Sequence, residues 1–187
     1  MWTLPNLLTV SRILAAPLVG AMVALGGPDW GAAAFVLFAA AALTDFLDGW
    51  LARRLNRASA LGRMLDPVAD KVMVMIVLAS LFAHEPNRGW PFALPAFAII
   101  LREVLVSGLR EYLGEIKLAV TLLAKWKTTV QLVALGALVL AATADEAGLL
   151  HAGGLALLWL AAGLTAITGW DYFAKGLAYI REREVTR

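Results

Sequence analysis

The chain has 187 residues, of which 61% are hydrophobic and 16% charged, with a net charge of +2 and a mean hydropathy of +0.77. A soluble domain of this length needs far more charge to cover its core, so the composition excludes an ordinary water-soluble fold. The absence of cysteine excludes disulfides, thiolate metal ligands and thiol nucleophiles.

Nearly uncharged runs occupy 13–26, 31–44, 72–83, 91–101, 118–124, 129–144 and 152–169. A membrane span needs about 20 mostly apolar residues. Joining the runs on that criterion predicts an all-α integral membrane protein with six transmembrane helices, near 6–26, 31–54, 61–83, 91–113, 118–144 and 151–180. No polar segment is long enough to fold separately, so one membrane domain over 1–187 is expected. Met1 to Asn6 carries no Lys or Arg, and no small-x-small cleavage site leads into a soluble remainder. The first run therefore reads as a retained helix and not as a secretory signal.

Basic residues set the expected orientation. Arg53, Arg54, Arg57 and Arg63 flank the second connection, and Arg110, Lys117, Lys125 and Lys127 the fourth; Lys175, Arg181, Arg183 and Arg187 lie at the C-terminus. The first, third and fifth connections carry Arg88 against Asp29, Glu85, Asp145 and Glu146. The positive-inside rule places both termini and the even connections in the cytoplasm, with Trp30, Trp50, Trp90, Trp126 and Trp170 near helix ends as interfacial anchors.

In the first helix, Asn6, Thr9 and Arg12 repeat at i, i+3, i+6 and would line one side of a polar cavity. A charge at the depth of Arg12 needs a partner; snorkelling to the interface is the competing reading.

The second and third helices carry the chemistry. Asp45, Asp48, Gly49 and Ala52 follow i, i+3, i+4, i+7 and share one helical stripe; Gly62, Asp66 and Asp70 follow i, i+4, i+8 and form another. With a turn at Asn56 to Ala58, all four aspartates fall roughly 12–21 Å along antiparallel helices from that turn. The two acidic stripes can then face each other just inside the cytoplasmic surface. Carboxylates so placed repel unless cations hold them, and hard oxygen ligands without His or Cys point to Mg²⁺ or Mn²⁺, with two ions expected. Two such ions clamp the oxygens of a phosphoryl displacement. Gly49, Ala52 and Gly62 remove bulk beside the carboxylates, and Arg53 can reach a phosphate at the rim. The structural alternative for the glycines and the alanine is close helix packing.

Residues 45–70 read D-x2-D-G-x2-A-R-x8-G-x3-D-x3-D, with all eight fixed positions filled. This pattern resembles the signature of the CDP-alcohol phosphotransferases, in which a CDP-linked donor gives its phosphatidyl or related group to an alcohol and CMP leaves. The resemblance implies six transmembrane helices, usually in a homodimer. It implies that Asp45, Asp48 and Asp66 bind the metals, and that Asp70 lies near them and deprotonates the acceptor hydroxyl. It places Gly49, Ala52 and Gly62 against the cytidine nucleotide and Arg53 on the donor diphosphate, with Asp48 also on the donor side; Asn6 and Thr9, by their spacing on the first helix, would line that same nucleotide side.

Three further stretches resemble the bacterial phosphatidylglycerophosphate synthases: Pro5-Asn6-Leu7-Leu8-Thr9-Val10-Ser11-Arg12; Arg102-Glu103 with Ser107-Gly108-Leu109-Arg110; and Ala124-Lys125-Trp126-Lys127-Thr128-Thr129. Ser107 stands where Thr is common, and Ala124 where the pattern has Gly. This resemblance implies CDP-diacylglycerol as donor, glycerol 3-phosphate as acceptor, CMP as a product and a bacterial inner membrane among lipids as the setting. No nucleic-acid partner is expected. Arg102, Arg110, Lys125 and Lys127 would hold the acceptor phosphate; for Arg110 and the lysines, ordinary positive-inside or snorkelling roles compete. Other acceptors with the same chemistry are inositol phosphate, phosphatidylglycerol or serine, the last disfavoured by having no phosphate to hold. A divalent-cation carrier is a reading from another class, against which stand the absence of an acidic path to the far face and of an inverted repeat.

Glu103 and Glu111 read as ion partners of the arginines, and Asp171 with Lys175 as a surface i, i+4 pair. His84 and His151 are expected as solvated rim residues.

Overall fold

The computed structural model describes residues 4–55, 60–83, 87, 89–113, 122–144 and 147–185, with side chains described throughout except at 4, 5, 45–55, 60, 61, 63, 122, 124, 125 and 183–185. Among these residues the chain forms α1 (Leu4–Leu25), α2 (Pro28–Leu55), α3 (Ala60–Phe82), α4 (Trp90–Leu113), α5 (Leu122–Ala141) and α6 (Gly148–Val185). The helices start and stop close to the boundaries expected from hydropathy. The exception is α6, which runs past 180 because nothing in its Arg- and Glu-rich end breaks a helix.

By length and composition, Asn6–Leu25, Trp90–Leu113 and Gly148–Glu182 can each cross a membrane; Pro28–Thr44 and Trp126–Ala141 are shorter apolar stretches. Both are bounded by the described side chains, which end at 44 on α2 and resume at 126 on α5. On α3, Asp66, Asp70 and Lys71 in the first half interrupt the apolar run.

Two compact units share the chain: Met1–Arg88 with Leu135–Gly154, and Gly89–Ala134 with Leu155–Arg187. In the first, α1 packs against both α2 and α3. Ala16, Val19 and Val23 give α1 a buried face, and Ala69, Met73, Val77 and Leu81, four residues apart, do the same on α3. Gly26 and Gly27 both have positive φ (72° and 86°), which lets α1 end and the chain reverse in two residues before Pro28 opens α2. Gly31 lies so close to Thr143 that a Cβ there would sit 1.4 Å from its Oγ1. Asn87 is buried, donating to the Leu81 carbonyl (3.1 Å) and bonded to His151 Nε2 (2.8 Å). His151 is partly exposed and held in place: the buried Asn87 amide needs a partner, and the imidazole supplies it. His84 lies outside the described residues.

In the second unit, the Trp159 indole donates to the Pro91 carbonyl at 2.8 Å, tying α6 to the start of α4. Further along, Gly169 faces Arg102 and Gly176 faces Leu109, so α4 and α6 run side by side. Large apolar residues that remain exposed, such as Leu14, Val36, Phe97 and Trp170, suit a surface whose solvent is hydrocarbon.

Candidate active site

Asp66 and Asp70 are one turn apart on α3, and α1 braces them from behind. Thr9 Oγ1 donates to Asp66 Oδ1 at 2.6 Å; Arg12 donates through Nη1 to Asp70 Oδ1 at 2.9 Å and through Nη2 to Asp66 Oδ1 at 3.5 Å. Asn6, Thr9 and Arg12 are all buried, the arginine with 4% of its surface exposed, whereas the two carboxylates are 51% and 54% exposed. The spacing i, i+3, i+6 puts the three α1 residues on one side of that helix, which is the side α3 covers. Pro67, between the two aspartates, withholds the amide that would bond the carbonyl of residue 63.

Arg12 thus finds the partner that a buried cation needs, and does not snorkel. It offsets part of the repulsion between two carboxylates one turn apart. Thr9, expected on the donor side, serves the carboxylate of Asp66. Gly62 is buried at the start of the same helix. Asp45, Asp48, Gly49, Ala52 and Arg53 lie on α2, and their side chains fall outside the described residues. No group of three or more His, Cys, Asp or Glu gathers among the described residues; Asp66 and Asp70 are the described part of the expected set. Their chemistry fits a hard divalent cation: carboxylate oxygens, half-open on one side and fixed on the other by Thr9 and Arg12.

The second unit holds a separate charged cluster. Glu103 Oε1 accepts from Arg102 Nη1 at 3.1 Å and from the Lys127 ammonium, 24 residues away in sequence. Lys127 is buried, and Arg102 and Glu103 nearly so. A glutamate shared by two cations leaves the trio at +1, and holds both cationic groups in place. Of the four basic residues expected at an acceptor phosphate, the fold brings Arg102 and Lys127 together. Arg110 instead places its guanidinium 5.9 Å from the centroid of the Tyr172 ring. Lys125 is outside the described side chains. Burial of Lys127 rules out the snorkelling alternative for that residue. Gln131, one turn beyond Lys127 on α5, is buried as well and was not singled out from the sequence. Lys175 and Asp171 pair at 2.7 Å on the exposed face of α6.

The family model described as CDP-alcohol phosphatidyltransferase matches residues 2–167. A CDP-diacylglycerol–glycerol-3-phosphate 3-phosphatidyltransferase of Cereibacter sphaeroides is 42% identical, over 98% of this chain and 99% of its own length. The protein of that name in Escherichia coli is 40% identical over 72% of this chain and 75% of its own. A cardiolipin synthase (CMP-forming) of Oryza sativa is 39% identical over 87% of this chain and 54% of its own. With most of its length matched by the family model and nearly all of it by a relative well above 30% identity, the chain belongs to the CDP-alcohol phosphatidyltransferase family.

Proposed function

We propose that this protein transfers the phosphatidyl group of CDP-diacylglycerol to the 1-hydroxyl of sn-glycerol 3-phosphate, giving phosphatidylglycerophosphate and CMP. One observation carries the chemistry: Asp66 and Asp70 present half-open carboxylates from one face of α3, with a buried arginine and a threonine fixing them from behind. The choice of acceptor is supported by the full-length relatives named for it and by the Arg102–Glu103–Lys127 cluster, whose net positive charge suits a phosphomonoester.

Asp45, Asp48, Asp66 and Asp70 would hold two divalent ions, Mg²⁺ or Mn²⁺, which when bound supply charge neutralisation for the diphosphate and the leaving CMP. Asp70 accepts the proton of the acceptor 1-hydroxyl. The alkoxide oxygen bonds to the phosphatidyl phosphorus, and the bond from that phosphorus to the CMP oxygen breaks, its electron pair leaving with CMP. Arg53 steadies the donor diphosphate, and Gly49, Ala52 and Gly62 leave room for the nucleotide, with Asn6 and Asp48 beside it. Arg102 and Lys127, with Arg110 and Lys125 on the same helices, hold the acceptor phosphate. The protein works as a homodimer of a single catalytic domain in the bacterial inner membrane, with six spans and its termini and active site on the cytoplasmic side.

The test is CMP release by purified protein in detergent, with CDP-diacylglycerol, Mg²⁺ or Mn²⁺ and a panel of alcohols, using Asp70→Asn as control. Metal-dependent release that requires glycerol 3-phosphate and is lost in the variant is the expected result. Release with phosphatidylglycerol instead would keep the mechanism and change the acceptor.

A further inference from the structure

In the second unit, the Arg102–Glu103–Lys127 cluster has buried polar neighbours. Gln131 and Thr165 have 4% and 0% of their surfaces exposed. Among the described residues, Gln131 Oε1, Thr165 Oγ1 and Arg102 Nε, all removed from solvent, have no hydrogen-bond partner. Leaving such groups unmet costs stability, and protein interiors almost always pair them. Thr165 has a local remedy that it does not take. Thr168 on the same helix bonds the Leu164 carbonyl one turn back at 2.8 Å, and Ser107 on α4 bonds the Glu103 carbonyl likewise at 2.6 Å.

Helix register sets the unmet oxygens at one level. Gly169 packs on the Arg102 stem, Gly176 on Leu109, and Trp159 bonds the Pro91 carbonyl, so α4 and α6 run parallel. α5 follows α4 after only residues 114–121, a connection short enough to return it antiparallel, with Lys127 on Glu103. One turn along α5 from Lys127 is Gln131, and one turn back along α6 from Gly169 is Thr165. Both steps lead toward the start of α4. The two oxygens therefore stand on the same side of the cationic pair, about 5.4 Å along the helix axes from it.

The chemistry of the unmet atoms differs. The Nε–H of Arg102 belongs to a cation and suits a phosphate. An uncharged amide oxygen accepts, a hydroxyl both donates and accepts, and together they match a ligand hydroxyl. Glycerol 3-phosphate has one to offer: its phosphate is taken by Arg102 and Lys127 and its 1-hydroxyl reacts, which leaves the 2-hydroxyl. That hydroxyl is separated from the phosphorus by an ester oxygen and two carbons, a span on the order of one helical turn.

We propose that Gln131 and Thr165 bind the 2-hydroxyl of the acceptor, which donates to Gln131 Oε1 and accepts from Thr165 Oγ1. The pair thereby selects a phosphate that carries two adjacent hydroxyls. This rests on the reading of glycerol 3-phosphate as acceptor, with Arg102 and Lys127 on its phosphate. Cations hold a phosphomonoester without reading its carbon skeleton, whereas a site built for a hydroxyl rejects the analogue that lacks it.

The experiment compares CMP release by the full-length protein with glycerol 3-phosphate and with 3-hydroxypropyl phosphate. The second keeps the phosphate and the primary hydroxyl and lacks the secondary one. Wild type should prefer glycerol 3-phosphate about 30-fold in kcat/KM. Gln131→Leu should reduce that preference to about twofold, and Thr165→Val to about fivefold. Thr165→Ser, which keeps the hydroxyl, should restore it. Thr165→Val keeps the shape of the side chain and carries the test if Gln131→Leu does not fold. A preference unchanged in these two variants would overturn the proposal. So would equal losses with both alcohols, the mark of residues that only support the fold. Wild type that takes both alcohols equally would overturn the proposal and leave the acceptor reading standing; no CMP release by wild type with glycerol 3-phosphate would overturn that reading itself.

Discussion

Arg12 of α1 donates to Asp70 of α3 at 2.9 Å from a position almost fully removed from solvent, while the carboxylate it holds is half-exposed. A buried cation behind an open acidic face has two effects. It relieves repulsion between Asp66 and Asp70, and it fixes their carboxylates before any other cation arrives. Hydrogen bonds to charged groups contribute about 1.5–3 kcal/mol each. Arg12→Gln should therefore weaken the site by about 2 kcal/mol, roughly 30-fold in CMP release. Arg12→Lys, which keeps the charge but cannot reach both carboxylates with separate nitrogens, should fall between. Steady-state CMP release together with thermal unfolding in detergent checks this; full activity in Arg12→Gln would refute the bracing role.

Thr9→Val keeps the shape of a buried side chain and removes the hydroxyl that donates to Asp66. The expected loss is about 1.5 kcal/mol. It should appear as a roughly tenfold rise in the Mg²⁺ concentration needed for half-maximal activity. A drop in thermal stability with an unchanged Mg²⁺ requirement would reduce Thr9 to a packing role.

Glu103 and Lys127 form a buried pair joining α4 and α5. Glu103→Gln leaves the buried Lys127 ammonium uncompensated and should cost about 3 kcal/mol of stability, while Lys127→Met leaves Glu103 still paired with Arg102 and should cost less. The double variant should be destabilised by less than the sum of the singles, with a coupling of about 1–3 kcal/mol in a thermal double-mutant cycle. Additive effects would mean that the pair does not act as a unit.

Gly169 controls Arg102 by contact. A Cβ at 169 would lie 2.8 Å from Arg102 Cγ, so Gly169→Ala must displace the arginine stem. The KM for glycerol 3-phosphate should rise about tenfold, with the KM for CDP-diacylglycerol little changed, as expected of a loss of about 1.4 kcal/mol in acceptor binding. Equal increases in both would disconnect Arg102 from the acceptor.

Gly31→Ala puts a methyl group within 1.4 Å of Thr143 Oγ1, a distance no rotamer change of the alanine can relieve. Overpacking of this kind costs about 3 kcal/mol. Adding Thr143→Gly removes Oγ1, Cγ2 and the Cβ that would lie 2.2 Å away, and should recover most of the lost unfolding temperature, whereas Thr143→Ala keeps that Cβ and should recover less.

The acidic half of the site was legible in the sequence because it is local. Asp66 and Asp70 are four residues apart, and helical periodicity alone sets them on one face; the eight-position pattern from 45 to 70 needed no partner from elsewhere in the chain. The helices were legible for a similar reason, since long apolar runs leave the backbone no other way to satisfy its hydrogen bonds in lipid. Arg12 announced that it needed a counter-charge, but its partners lie 54 and 58 residues away. Periodicity within one helix carries no information about which helix covers it. The competing snorkelling reading could be removed only by the packing of α1 on α3.

The basic residues show the boundary most clearly. Spacing and resemblance put Arg102, Arg110, Lys125 and Lys127 together at one acceptor phosphate, with Arg102 deeper than the others. Tertiary contacts separated them, pairing Arg102 and Lys127 through Glu103 and sending Arg110 to the Tyr172 ring. What the residue order determined by itself was a helical membrane protein with an acidic stripe, because those properties depend on spacings of a few residues. What the tertiary structure alone decided was how the buried charges are paired and which buried polar groups lie one turn from them, because both depend on which helix faces meet.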